Sequence, residues 1–298
     1  VYGTEQIRNV VLLGHGGAGK TTVAEALALV TGVTKRMGKV PDGNTISDYD
    51  KEEVKRQFSI STTLIPLEYQ GESGPIKINL LDTPGFFDFV GEVEEAISVA
   101  DAAIIVVNCK AGIEPGTEKA WEMCEKYKLP RLIFVTNMDD DHASYRELVV
   151  KLETRFGRKI APFQLPIREN EKFVGFVNVV KMAGRRFTEL SDYVECEIPE
   201  YVEKNLTIAR DALIEAVAET NEEYMERYFL GEEFTQEEIS TALREHVIEG
   251  EIVPVMMGSG INCQGFKVLL QSIDKYFPSP DHFECIGVDV STGERFTA

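Results

Sequence analysis

The stretch Gly14-His15-Gly16-Gly17-Ala18-Gly19-Lys20-Thr21 sets glycines, a lysine and a threonine at the spacing G-x-x-x-x-G-K-T. Glycines so placed let backbone N–H groups turn inward around an anion; Lys20 adds a point charge for β- and γ-phosphates, and Thr21 offers a hydroxyl to magnesium. Asp82-Thr83-Pro84-Gly85 supplies a carboxylate that can hold magnesium directly or through water, followed by a glycine whose N–H can approach a γ-phosphate. In Thr136-Asn137-Met138-Asp139, the Asp139 carboxylate can accept from guanine N1–H and the 2-amino group. Adenine presents an acceptor there, so Asp139 would discriminate against it by leaving buried polar groups unpaired. Gly258-Ser259-Gly260 is where a backbone N–H could meet guanine O6. The ligand that satisfies these groups together is GTP or GDP with magnesium. Its expected contacts are His15, Gly16, Gly17, Ala18, Gly19, Lys20, Thr21, Thr22, Asp82, Gly85, Thr136, Asn137, Asp139, Gly258, Ser259 and Gly260. His15 is counted with its loop, although its side chain reads as a solvated turn residue.

For these groups to meet, each must leave the end of a buried strand. The sequence provides such strands: Ile7 to Leu13, Ile78 to Leu81, Ala102 to Val107, Leu132 to Thr136 and Ile252 to Met257 are apolar runs. Between them lie amphipathic stretches, Lys20 to Val30, Glu92 to Val99, Pro115 to Tyr127, His142 to Phe156 and Gln264 to Tyr276. Alternation of this kind predicts a mostly parallel, doubly wound sheet covered by helices. A polar stretch from Thr34 to Ser61 is too long for a plain connector, and loops of that length are usually functional. After Pro166 the rhythm changes to short strands at Phe173 to Val180 and Arg185 to Glu189, then a charged helical stretch from Pro199 to Phe229. A further helix opens with the capping box Thr235 and Glu238,. Because the first pattern resumes at Ile252, the intervening α+β unit reads as an insertion. The expected division is 1–166 for the first part of the nucleotide domain, 167–251 for the insert and 252–280 for the last strand and helix. Residues 281–298, with alternating Ile286, Val288 and Val290, would open a further domain.

Composition narrows the class. A net charge of -19 argues against a broad basic surface for nucleic acid, so any such contact must be local. No apolar run reaches the roughly 20 residues that span a bilayer, and the N-terminus lacks the basic start and apolar core of a secretory signal; a soluble, cytoplasmic, monomeric chain with no membrane contact is expected. The five cysteines, 109, 124, 196, 263 and 285, form no Cys-x-x-Cys pair and fit reduced thiols. Acidic runs such as Glu92, Glu94 and Glu95, or Glu222 and Glu223, read as solvated helix faces.

The order of motifs resembles the translational GTPases, specifically elongation factor G and its paralogues. Beyond the phosphate loop it includes Asp42-Gly43 in the switch I region, Asp82-Thr83-Pro84-Gly85 before Asp88-Phe89, Gly112-Ile113-Glu114-Pro115, Gln164-Leu165-Pro166-Ile167, and Gly258-Ser259 before Gly265 and Pro278-Ser279-Pro280. The resemblance covers essentially the whole chain. It implies a P-loop G domain carrying the inserted G′ subdomain, GTP-dependent work on the ribosome, and a longer protein with further domains.

Several positions depart from that family pattern. Gly17 stands where the family has an aspartate. Switch I reads Arg56-Gln57-Phe58-Ser59-Ile60 in place of Arg-Gly-Ile-Thr-Ile, which puts Ser59 beside Thr21 and Asp82 as the implied magnesium ligands. Phe86 occupies the place of the water-positioning histidine, and a hydrocarbon ring cannot orient a nucleophile. In the base motif, Thr136 and Asn137 replace Asn and Lys; a slipped register through Asn137 and Asp140 needs a gap. Lys20, Gly85 and Phe86 are therefore the residues on which any hydrolysis turns. Slow or undetectable intrinsic turnover is expected, through a ribosome-triggered GTPase or a GTP-dependent binding module that acts by shape.

Overall fold

A computed structural model describes residues 1–72, 74–283 and 286–297; Cys285 lies outside the described residues. The strands are β1 (Ile7–Leu13), β2 (Thr63–Gly71), β3 (Gly74–Asp82), β4 (Ala102–Asn108), β5 (Arg131–Thr136), β6 (Ile160–Pro162), β7 (Gln164–Glu169), β8 (Lys172–Asn178), β9 (Ala183–Phe187), β10 (Tyr193–Cys196), β11 (Val253–Met257), β12 (Ile286–Val288) and β13 (Arg295–Thr297). The helices are α1 (Lys20–Val30), α2 (Lys51–Arg56), α3 (Val90–Ser98), α4 (Pro115–Tyr127), α5 (Tyr145–Phe156), α6 (Glu200–Ala218), α7 (Glu222–Phe229), α8 (Gln236–Glu249) and α9 (Phe266–Tyr276).

The principal sheet runs β2-β3-β1-β4-β5-β11-β6. All its neighbours pair in parallel except β2 and β3, which form an antiparallel hairpin. Its central strands are apolar on both faces because both are covered. Along β1, Val10 and Leu12 enter the core beneath α1 and α9, while Val11 and Leu13 enter the core beneath α3, α4 and α5. Ile104 and Val106 of β4 divide from Ile105 and Val107 in the same way, the period of two that a buried strand must show.

The segment after β6 builds a second, antiparallel sheet in the order β10-β9-β8-β7. A separate core packs beneath it, with Phe163, Val177 and Val179 against Val202, Leu206 and Leu213 of α6 and Leu243 of α8. The chain then returns to the principal sheet, where β11 inserts between β5 and β6, pairing Val255 with Ile133 and Val253 with Ile160. The α/β fold with an inserted α+β unit, expected from the broken and resumed pattern, is the fold observed.

Three local expectations change. The polar stretch 34–61 contains the one-and-a-half-turn helix α2, whose Asp50–Glu53 capping box closes its N-terminus, and the strand after it is β2, which precedes the strand at 78–81. The helical stretch from Pro199 to Phe229 is two helices, because the Asn221 side chain caps a new start by accepting from Tyr224 N–H. Glu92 is no solvated bystander: its carboxylate accepts from the Thr62 N–H at 2.7 Å and its carbonyl from the Thr62 hydroxyl at 3.0 Å.

Candidate functional site

The motifs converge at the carboxyl ends of β1, β3, β5 and β11, parallel strands of one sheet. Open parallel sheets bind ligands at that edge, where neighbouring crossovers leave in opposite directions and open a crevice. The loop 14–19 joins β1 to α1, Asp82 ends β3, and the register sets Asp82 beside Leu12. Gly14 is required for close approach, since a Cβ there would stand 2.4 Å from the Val106 carbonyl oxygen. Gly85 is required for a second reason: a Cβ would lie 2.5 Å from Lys20 Nζ and 2.7 Å from Gly16 Cα, filling the space a phosphate needs.

A cavity of about 240 Å³ opens over this loop, lined among others by Gly17, Lys20, Thr21, Ser59, Gly85 and Phe86. Lys20 is 6% exposed, and its Nζ donates to the carbonyls of Gly14 and His15, each at 3.0 Å. Burial lowers its pKa to about 8, partly offset by the carboxylates of Asp82, Asp48 and Glu114. Asp82, also buried, is pushed up to about 6 by the same desolvation, against the pull of Lys20 and the Thr21 hydroxyl. Both groups are thus held in a medium that disfavours their charges, and an entering anion with its cation would supply what each lacks.

The residues present fit a magnesium ion. Thr21 Oγ1 donates to Asp82 Oδ2 at 2.9 Å, and Ser59 Oγ donates to Asp48 Oδ1 at 2.7 Å. With those protons committed, the two hydroxyl oxygens face each other at 3.3 Å with lone pairs only. That separation is close to the about 3 Å expected between adjacent oxygens on an octahedral ion with 2.1 Å bonds. Asp82 Oδ1 and Asp48 Oδ2 are buried with no hydrogen-bond partner. Hard oxygen donors around two orphaned carboxylate atoms suit a small divalent cation. Asp48, whose pKa burial raises, had no motif to mark it in the polar stretch; only the fold carries it to Ser59.

The remaining expected residues divide. Ala18 and Thr136 are joined, the Thr136 hydroxyl donating to the Ala18 carbonyl at 2.7 Å. Thr136 thereby ties the base loop to the phosphate loop and has no second proton to give. Asn137 is exposed, with φ at +60°. Asp139 Oδ1 accepts from the Ser259 hydroxyl at 2.5 Å, and the Met138 N–H donates to the Gly258 carbonyl at 3.3 Å, so the two base segments adjoin. Asp140 faces elsewhere, toward Lys110 Nζ at 3.1 Å. Thr22 lines the phosphate cavity and sits within 2.3 Å of where a Gly260 Cβ would stand. The His15 ring turns away, its Nδ1 accepting from the Gly116 N–H at 3.2 Å. Arg168, from β7, had no sequence signal: its Nη2 donates to the Met138 carbonyl at 2.8 Å, fastening the base loop to the second sheet.

At the mouth, Phe86 lies against Gly16, whose Cβ would meet its ring at 3.0 Å. Phe58 packs on Phe86 with centroids 4.7 Å apart. The cavity wall on this side is therefore hydrocarbon.

The elongation factor Tu GTP-binding domain family matches residues 5–279. The chain belongs to that family. It is a GTP-binding domain of the translational GTPases, which makes guanine nucleotide its ligand class. A crystal structure from Thermus thermophilus superposes on this GTPase domain with a TM-score of 0.87 at 35% sequence identity, over 99% of this chain and 45% of the Thermus chain. The GTPase domain described here thus spans under half the length of that protein.

Proposed function

We propose that this chain is the nucleotide-binding part of an elongation factor G-like protein that binds GTP with magnesium and couples the bound state to ribosome movement, with slow or ribosome-triggered hydrolysis. One observation carries the proposal: Lys20, Thr21 and Ser59 line one cavity at the strand ends, with Asp82 hydrogen-bonded to Thr21 behind it; the Asp139–Ser259 contact adds support for a base site. Thr21, Ser59 and Asp82 would hold magnesium, which neutralises developing charge between β- and γ-phosphates. Lys20 and the Gly85 N–H would hold the terminal phosphate, and Asp139 would accept from the guanine edge while Ser259 fixes its carboxylate. Residues 1–166 and 252–280 would form the G domain, 167–251 the G′ insert, and 281–298 the start of a following domain, in a cytoplasmic monomer.

The Phe58–Phe86 pair favours a second possibility. Positioning of the attacking water normally contributes several orders of magnitude, and no polar side chain stands at residue 86 to do it. A GTP-dependent ribosome-binding module that acts by shape, with little chemistry, would use the same site. Phosphate release measured with and without ribosomes separates the two.

The first test is a titration with a fluorescent GTP analogue in competition with GTP, GDP and ATP, with and without magnesium. Competition by GTP and GDP but not ATP, with GTP favoured by magnesium, is expected. Equal competition by ATP would mean that Asp139 does not select guanine.

A further inference from the structure

We propose that Gln57 donates its side-chain amide to the terminal phosphate of the bound triphosphate, and so carries part of the preference for triphosphate over diphosphate; this rests on the nucleotide site proposed above.

Gln57 lines the 240 Å³ phosphate cavity together with Gly17, Lys20, Thr21 and Gly85. It sits two residues before Ser59, in the segment that reaches the magnesium ligands, so it approaches the metal-bound end of the ligand. Its two successors toward the cavity contribute differently. Phe58 gives its ring to Phe86, and Ser59 commits its proton to Asp48. Of these three side chains Gln57 is therefore the one with N–H groups to offer, and a neutral amide bonded to an ionised oxygen makes a strong hydrogen bond without adding a charge that needs its own partner.

The backbone supports the assignment. Gln57 ends α2 in the left-handed region, φ +60° and ψ +36°, a conformation that glycine takes at no steric cost. The position keeps a long polar side chain nonetheless. The turn is held from both sides: the Gln57 N–H donates to the Glu53 carbonyl at 2.7 Å, and the Ile60 and Ser61 N–H groups donate to the buried Glu53 Oε1 at 2.9 and 3.1 Å. The side chain itself is loosely tethered, with Nε2 at 3.5 Å from the Pro41 carbonyl on the exposed rim. That distance is at the outer limit of a hydrogen bond, a contact weak enough to exchange for a phosphate oxygen.

The test compares binding of a non-hydrolysable GTP analogue and of GDP, in magnesium buffer, by the wild-type chain, Gln57→Gly and Gln57→Glu. Glycine suits the left-handed turn, so Gln57→Gly folds and keeps its GDP affinity. It is expected to lose about tenfold or more in affinity for the triphosphate analogue. Gln57→Glu, which sets a carboxylate against the phosphate, loses more than Gln57→Gly. Triphosphate affinity in Gln57→Gly within about twofold of wild type, or equal losses for both nucleotides, would overturn the proposal while leaving the nucleotide site intact. Failure of the wild-type chain to bind either nucleotide would overturn both.

Discussion

Replacing Asp82 by Asn removes a buried ionisable group while preserving its shape and an oxygen to accept from Thr21. In the folded chain the Asp82 pKa stands at about 6 against an ordinary 3.8, chiefly through desolvation. A carboxyl whose folded pKa lies above its unfolded value contributes stability that is fully present below the unfolded pKa and is lost as pH rises through the folded one. The gap between 3.8 and about 6 corresponds to about 3 kcal/mol at roughly 1.4 kcal/mol per pH unit. Nucleotide-free wild-type protein should therefore lose about 2.4 kcal/mol of this relative to Asp82→Asn between pH 4 and pH 7, the rest of the gap lying below pH 4,. Urea unfolding can be followed through the single tryptophan, Trp121, which is 8% exposed and stacked on Phe156 at 4.2 Å. Saturating magnesium and GTP should flatten the dependence, because the bound ion keeps Asp82 ionised, and binding below about pH 6 should release a proton,. A wild-type-minus-variant difference that varies by less than about 1 kcal/mol over the range would refute the argument.

Phe86→Leu should leave single-turnover hydrolysis slow, because neither side chain can polarise water; fast hydrolysis in the wild-type chain, unchanged in this variant, would remove residue 86 as the limit. Glu25, 1% exposed, accepts from the Gly38 N–H at 2.6 Å and the Ile46 N–H at 2.5 Å. Glu25→Ala should orphan both donors at about 1–3 kcal/mol each, seen as faster hydrogen exchange across residues 34–61 than in β1. Arg168→Ala frees the Met138 carbonyl and should weaken GTP binding about tenfold with little change in unfolding midpoint, measured by the competition titration.

The bounds of β1 and α1, Ile7–Leu13 and Lys20–Val30, were legible because two local signals agree there: an apolar run long enough for one strand, and a glycine loop whose function requires a helix after it. β2 was not, because Pro66 interrupts its apolar run and a proline cannot donate to a ladder. The fold tolerates it because β2 is the edge strand of the principal sheet. The site shows the same division. Lys20, Thr21 and Asp82 announce themselves by spacing, whereas Asp48 and Arg168 reach the site only through contacts with Ser59 and Met138, which no local pattern encodes.

Those non-local contacts bear on how a ligand could move the polar stretch 34–61. A ligand shifts a segment only as far as its contacts differ between the segment's arrangements. Toward the cavity the segment presents Asp48, Gln57, Phe58 and Ser59; toward the scaffold it is held by Glu25 of α1, and at its far end the next residue, Thr62, is held by Glu92 of α3. The anchors accept from backbone N–H groups, so they constrain the path of the chain whatever side chains it carries. The cavity contacts run through a carboxylate, an amide, a ring and a hydroxyl, each able to exchange partners when a phosphate and its metal arrive. Movement should accordingly concentrate between residues 48 and 60 and die away toward residues 38 and 62, where the carboxylates grip. Hydrogen exchange with GDP and with a GTP analogue would resolve this: protection that changes at Gly38 or Thr62 as much as at Ser59 would mean that the anchors yield together with the turn.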